Sequence, residues 1–306
     1  MRRLPDFEAW AVFAKVAELG SFARAADALG LSKPTVSKAI TRLEARLGSS
    51  LLNRTSRRLS LTESGLASVG RAARILSEAE AAEDEALAQS TAPRGRIRVG
   101  APLSFGIAYL GAALPEFLAT YPEITLDLAL SDRHVDVVAE GFDLAIRVAS
   151  LEDSTLLARQ LCTVRILLVG APGYFERHGR PTHPEELRHH TAMAYSGGSV
   201  HRAWRFSHVG FGEVVVEPKV QVWTDNADML MPSLIAGRGL ALQPEFLVWR
   251  EIQEGSLEVA MPDWTAPALG LHLVMPPSGL RPLRVQVLVD HLAKSLARPP
   301  WVGGVG

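Results

Sequence analysis

Apolar positions recur at helical spacing over residues 6–19, where Phe7, Trp10, Ala11, Phe13, Ala14 and Ala17 share one face. Gly20 predicts the end of that helix, and Ser21 is suited to cap a second one running to Leu29. Gly30 and Leu31 make a turn. Ser32 can cap a third helix, with Pro34 tolerated in its first turn and Gly48 stopping it. Val36, Ile40, Leu43 and Leu47 form the buried stripe of this third helix. Its other side carries Ser32, Lys33, Thr35, Ser37 and Lys38.

Residues 49–61, SSLLNRTSRRLSL, set short apolar pairs around a basic tip from Arg54 to Arg58, which suits a small β-hairpin or wing. Thr62, Glu63 and Ser64 then open a long helix to about Gln89. Leu66, Val69, Ala73 and Leu76 keep a spacing of three and four, while Ala72, Ala79 and Ala82 stay small. About 28 residues make roughly 40 Å of helix. So small-sided a seam suits close association with another helix better than a core. The stretch STAPRG, residues 90–95, reads as a hinge.

From Arg96 the pattern alternates between strand and helix. Strands are predicted at 96–101, 124–131, 142–149 and 164–170, with amphipathic helices near 105–120 and 133–140. That order predicts βαβ units and a mainly parallel sheet. A second α/β unit spans about 166–267 and includes helix 226–236 and strand 238–243. Strand 269–275 and helix 282–296 return to the first unit. Two lobes joined by crossing strands would leave a cleft between them.

Charge sharpens the division. Residues 1–61 hold eleven Arg and Lys against five Asp and Glu, a net +6 within a chain whose total is −1. A basic head on an acidic body suits either a polyanionic partner or a solvated basic surface. A chain of 306 residues fits about two domains. Its 47% hydrophobic and 21% charged residues are ordinary for a globular protein. The single cysteine, Cys162, excludes an internal disulfide and fits a reducing compartment. The start MRRLPDFEAW lacks the apolar run of a signal peptide, and no stretch is read as reaching the roughly 18 apolar residues of a membrane span. The expectation is a soluble, cytoplasmic protein with no membrane partner.

The physics of the head favours DNA. A helix-turn-helix needs small residues where its helices touch, here Ala25 and Ala26, and a permissive turn, here Gly30. The second helix then shows its N-terminal side chains to base edges. Lys33 and Lys38 can donate to guanine or to phosphates, and Thr35 can offer a methyl to thymine. Arg54, Arg57 and Arg58 would meet the backbone or a narrow minor groove.

Three runs carry a family resemblance: GSFARAADALGLSKPTVSKAI, RLEARLGSSLLNR and LSLTESG. Residues 11–65 resemble the DNA-binding head of LysR-type transcriptional regulators. The remainder resembles the family's effector domain in length and order, and LSDRHVDVVAEGFDLAIRVASLEDSTLLARQL resembles its Phe-Asp-Leu-Ala-Ile-Arg branch. The resemblance implies an α+β multidomain chain: a winged helix-turn-helix over 1–61, a dimerising linker helix over 62–89, a hinge at 90–95 and an effector-binding domain over 96–306. That last domain would be a two-lobed α/β unit of the periplasmic-binding-protein type. Lobe I would take about 96–165 and 268–296, and lobe II about 166–267.

The resemblance further implies that residues 32–38, including Pro34, enter the major groove, with Arg42 as a further DNA contact. The family often has Gln where this chain has Lys33, and Arg where it has Lys38, so the resemblance implies DNA binding but does not carry over an operator preference. A homodimer or homotetramer and RNA polymerase are implied partners, with double-stranded DNA and a small effector, an organic anion among the options. No cofactor and no metal are expected.

An effector would sit in the cleft, where strand ends and helix N-termini meet. Pro102, Leu103, Ser104 and Phe105 mark the first such junction, and its N–H groups with the Ser104 hydroxyl can take a carboxylate. The resemblance puts Ser131, Arg147, Tyr195 to Gly197, and Thr224 to Asn226 on the facing wall. Arg147 could clamp an acid, or sit in an internal ion pair. Ser104 and Asn226 could equally be plain helix caps.

Other chemistry is weaker. His183, His189 and His190 with Glu185 and Glu186 lack a metal-site spacing and fit a solvated helix. Cys162 fits a core strand. Trp204, Phe206 and Phe211 fit hairpin packing. There is no Gly-rich phosphate loop, GxSxG or HExxH, which leaves an enzyme reading with only the α/β fold. A periplasmic-type binding protein would not need the basic head.

Overall fold

Local sequence closes each of the first three helices at both ends. The computed structural model describes residues 4–54, 59–86, 93–133, 136–150, 157–196, 203–277 and 281–302. Helix α1 (Phe7–Leu19) is capped by Asp6, whose Oδ1 accepts the Ala9 N–H at 3.2 Å. Helix α2 (Phe22–Leu29) is capped by Ser21, and α3 (Lys33–Leu47) by Ser32. Gly20, Gly30 and Gly48 end them in the left-handed region, with φ of 60°, 63° and 66°, where a Cβ is costly. Strands β1 (Leu52–Arg54) and β2 (Leu59–Leu61) pair antiparallel as the wing. The Glu44 carboxylate accepts the Leu51 and Leu52 N–H groups and ties the wing to α3.

The head core holds Phe13, Val16, Ala25, Ala26, Val36, Ile40, Leu43 and Leu51. Leu47 was expected in the stripe but is exposed, and Ala39 is buried in its place. On α1 the buried side is Ala9, Val12, Phe13, Ala14 and Val16, while Phe7 is exposed. The long helix α4 (Glu63–Ala86) starts where Thr62 Oγ1 accepts the Gly65 N–H at 3.0 Å.

Two small positions of α4, Gly70 and Ala72, are buried within the chain, whereas Ala79 is exposed. Ala72 is fully buried in the head core, with Val69 and Leu76 packed beside it. Elsewhere on the helix Gly70 meets the C-terminal domain so closely that an added Cβ would run into the Ala139 carbonyl oxygen. Nearby, buried Arg284 donates to Arg96 O at 3.1 Å and to Ser77 Oγ at 3.4 Å, and Arg96 forms an ion pair with Glu18 of α1. Gly70→Ala is therefore expected to cost about 1–3 kcal/mol and to enlarge the radius of gyration with helix content unchanged. Thermal melting with small-angle scattering checks this; an unchanged midpoint and radius would contradict it.

Lobe I is built on a five-stranded sheet in the order β4-β3-β5-β14-β6. Its strands are β3 (Gly95–Ala101), β4 (Ile124–Leu130), β5 (Leu144–Ala149), β6 (Leu157–Val164) and the late β14 (Leu269–Met275). Pairing is parallel among β4, β3 and β5, but β14 runs antiparallel to β5 and β6. The expected mainly parallel sheet is thus mixed, because β14 arrives from the other lobe rather than through a helical crossover. Strand β6 was not anticipated before residue 164; four of its first residues are exposed and offer no apolar run. The helix expected at 133–140 is absent from the described residues 136–140, which form turns around the Asp136 carboxylate.

Lobe II contains β7 (Ile166–Gly170), β8 (Thr191–Tyr195), the hairpin β9 (Trp204–His208) with β10 (Gly212–Val216), β11 (Lys219–Thr224), β12 (Ala241–Pro244) and β13 (Glu258–Val259). Strands β12 and β13 flank β7 antiparallel, β11 pairs parallel with β8, and a bridge from Ala192 to Leu240 joins the two groups. The lobes meet where buried Glu245 accepts from Arg165 Nε at 2.6 Å.

One apolar helix does reach membrane-span length, contrary to expectation. Leu103–Thr120 is 18 residues long with mean hydropathy 1.3. Phe105, Tyr109, Leu110 and Phe117 on this helix belong to the lobe I core. A third of the helix is buried in this way, while Leu103, Ile107 and Leu118 are exposed.

Candidate DNA-reading face and effector cleft

The leading end of α3 stands clear of the head. Ser32, Lys33, Pro34, Thr35 and Lys38 are exposed and Ser37 is half-buried, while Val36, Ala39, Ile40 and Leu43 face inward. Two of the hydroxyls are already engaged. Ser32 Oγ accepts the Thr35 N–H at 3.2 Å and shares a hydrogen bond with Thr35 Oγ1 at 2.8 Å. Among the described residues no ion pair involves Lys33 or Lys38. Two cations on a capped, rigid helix end can therefore meet phosphates or guanine edges without first breaking a contact.

Arg42 stands apart from the expected set. Its guanidinium grips Asp6 in two hydrogen bonds, at 2.5 and 3.1 Å, and reaches Glu8 at 3.0 Å. This bond, ahead of all other effects, holds the Asp6 carboxyl below its usual range. Arg42 thus braces the start of α1 against α3. Arg54 closes β1, but its side chain, like Arg57 and Arg58, lies outside the described residues.

In the C-terminal domain the structure brings together residues from both lobes. Ser104 is buried, and Asn226 Nδ2 lies 3.5 Å from its hydroxyl. Asn226 does cap the helical turn Ala227–Leu230, its Oδ1 accepting the Met229 N–H at 3.2 Å. Thr224 Oγ1 accepts the Asn226 N–H at 3.1 Å, and Thr224 O accepts the Ser196 N–H at 2.7 Å. Capping and cleft placement therefore coexist at Asn226. Tyr195 ends β8; burial raises its phenol pKa first, and the charges of Asp132 and Asp225 raise it further.

Sequence reasoning missed Asp132. Its Oδ1 accepts the Leu103 N–H at 3.0 Å, and its Oδ2 accepts Asn226 Nδ2 at 2.6 Å across the cleft. The signal was available: an Asp just past the C-terminal end of β4, beside Ser131, stands where such sheets gather functional groups. Ser131 itself hydrogen-bonds Ala101 O and the Arg133 N–H.

Phe105 is a correction. It is fully buried, with ring centroids 5.3 Å from Tyr109, 5.5 Å from Phe246 and 6.1 Å from Trp301. It belongs to the core rather than to the cleft wall. Pro102 and Leu103 lie at the strand-to-helix junction, and Leu103 is exposed. Arg147 is half-buried opposite His272 on the neighbouring strand. Burial lowers its pKa, and Asp136 opposes that. Gly197 lies outside the described residues.

The remaining candidates resolve into packing. His183 caps the turn Pro184–His189, and His190 is buried against the Tyr174 hydroxyl. Burial raises the Cys162 thiol, with Glu245 adding to it. Trp204 and Phe206 are core, whereas Phe211 stacks on Trp264 but is exposed. Among the described residues no group of three His, Cys, Asp or Glu could hold a metal ion.

Two family descriptions match the chain. "Bacterial regulatory helix-turn-helix protein, lysR family" covers residues 7–66 and "LysR substrate binding domain" covers residues 90–297. The chain belongs to the LysR family of transcriptional regulators. LysR-type relatives extend over nearly its whole length. An HTH-type transcriptional regulator of Xanthomonas campestris pv. campestris is 37% identical over 93% of this chain and 84% of its own. CrgA of Neisseria meningitidis is 33% identical over 93% and 95%. The solved structure of CrgA superposes with a TM-score of 0.61 at 32% identity, covering 97% of this chain and 100% of that one. The full-length Vibrio cholerae virulence activator AphB gives 0.61 at 25% identity, covering 95% and 99%. This LysR-type regulator is accordingly a DNA-binding transcriptional regulator with a C-terminal effector-binding domain.

Proposed function

We propose that this regulator reads its operator with residues 32–38 in the major groove and the wing on the flanking backbone, under control of a small molecule held between the two lobes. The observation that carries the reading is the exposed, capped start of α3, with Lys33 and Lys38 outside every ion pair found among the described residues. Ser32 and Thr35 hold the helix end in shape, and the two lysines supply the charge. Arg42 serves as a brace of the head.

The protein works in the cytoplasm as a homodimer, or as a homotetramer built from two dimers, and acts on transcription through RNA polymerase. It is not an enzyme. Pairing through α4 is supported by a groove between α1 and α4 in which Phe7, Ala11, Ile75, Leu76 and Ala79 lie beside Arg71 and Arg74. Two heads related by a two-fold axis would meet half-sites about 34 Å apart. The effector acts by differential affinity for two arrangements of the lobes. Ser104, Ser131, Arg147, Tyr195, Thr224 and Asn226 are the proposed contacts, joined by Asp132.

Footprinting the purified full-length protein on fragments of its own genome tests the DNA reading. The expected result is protection of discrete sites with two half-sites one turn apart. Uniform affinity for genomic and random duplex at modest ionic strength would overturn it.

A further inference from the structure

The cleft already contains a carboxylate. Asp132 belongs to lobe I, at the end of β4, yet one of its oxygens reaches Asn226 of lobe II at 2.6 Å. The other oxygen takes the Leu103 N–H at 3.0 Å, on the helix that leads to buried Ser104. Asp132 and Asn226 are 94 residues apart in sequence, so only the packing of the two lobes brings them together. Asn226 is held in place independently, by the cap it makes to Met229 and by the Thr224 hydroxyl on its own N–H. Its amide therefore presents a fixed donor to the opposite lobe. These are the donors that an acidic effector would need.

We infer that Asp132 is a built-in stand-in for the effector's acid group, which latches lobe I to lobe II in the free regulator and which an effector carboxylate must displace. A charge-assisted hydrogen bond across a domain gap holds the closed state more strongly than a neutral one. It also taxes every acidic ligand, because binding must first free the Leu103 N–H and the Asn226 amide. A ligand whose acid group replaces Asp132 keeps both lobes bridged but releases the segment after β4. Further along the chain, Ala139 and Gly141 lie against Gly70 and Ala73 of α4. Asp132 is thus a positioning and selectivity residue. The latch itself concerns the free protein, and only its consequence for effectors rests on the cleft being their site.

Hydrogen–deuterium exchange on the full-length protein, without DNA or effector, tests the latch. In Asp132→Ala, amides of residues 103–106 and of residues 226–231 are both expected to exchange about tenfold faster or more. Sodium acetate, compared with sodium chloride at equal ionic strength, is expected to slow both again by filling the vacated donors. Acceleration confined to residues 103–106 would overturn the inference, as would acetate failing to restore either segment. Asn226→Ala provides a second route if the first variant does not fold. It leaves Asp132 in place and is expected to loosen residues 103–106 in lobe I; unchanged exchange there would also overturn the latch. Because no effector is used, failure here leaves the DNA-reading proposal untouched.

Discussion

Replacing both Lys33 and Lys38 by alanine is expected to weaken operator binding by roughly 10- to 100-fold at 0.15 M salt. Each lysine that neutralises a phosphate contributes about 0.9 to the slope of log K against log salt, so the slope should fall by about 2. Both residues are exposed on the first turns of α3, and no ion pair found among the described residues involves them. Their removal should therefore leave the fold of the head intact. A salt titration by filter binding gives both quantities at once. Lost affinity with an unchanged slope would mean that the lysines contact bases alone. Unchanged affinity and slope would remove α3 as the reading element. Arg42→Ala makes a useful contrast, since that guanidinium is occupied by Asp6 and Glu8. Its slope should stay close to that of the parent.

The second large effect is expected in the head core. Phe13 is fully buried, and its ring stands edge-on to Trp10 at 6.1 Å. Phe13→Ala should cost about 3–5 kcal/mol. A domain of this size has little stability to spare. The core around Phe13 is a separate cluster from those of the two lobes, so the loss should fall on the head. Calorimetry should show one transition moving sharply down while the transition of the C-terminal domain stays near its place. Specific DNA binding should disappear at temperatures where the lobes remain folded. A variant that melts as the parent does would show that the head is not held by this core.

These two expectations draw on different kinds of legibility. The head could be read residue by residue. Its legible caps are Ser21 and Ser32 and its stops Gly20, Gly30 and Gly48, while Asp6, read as the first helical residue, is the cap of α1. All act within three or four residues of the backbone groups they satisfy, so the linear sequence contains the whole interaction. Leu47 was misjudged because helical spacing alone cannot say how far a neighbouring helix extends. Phe105 was misjudged because its partners Phe246 and Trp301 come from distant parts of the chain. The segment 133–140 has a helical pattern, but Asp136 instead takes the Val138 and Ala139 N–H groups in turns that meet α4.

By itself the sequence determined the three-helix head, its basic exposed edge and the alternation of strands and helices beyond it, because capping hydrogen bonds, left-handed glycines and hydrophobic period are local. Only the tertiary structure decided that Arg42 grips Asp6, that Gly70 and Ala72 of α4 are buried within the chain, and that Asp132 bridges the lobes to Asn226. Each of those depends on a partner 36 or more residues away. No local pattern encodes such a meeting, since it exists only after burial has brought the elements together.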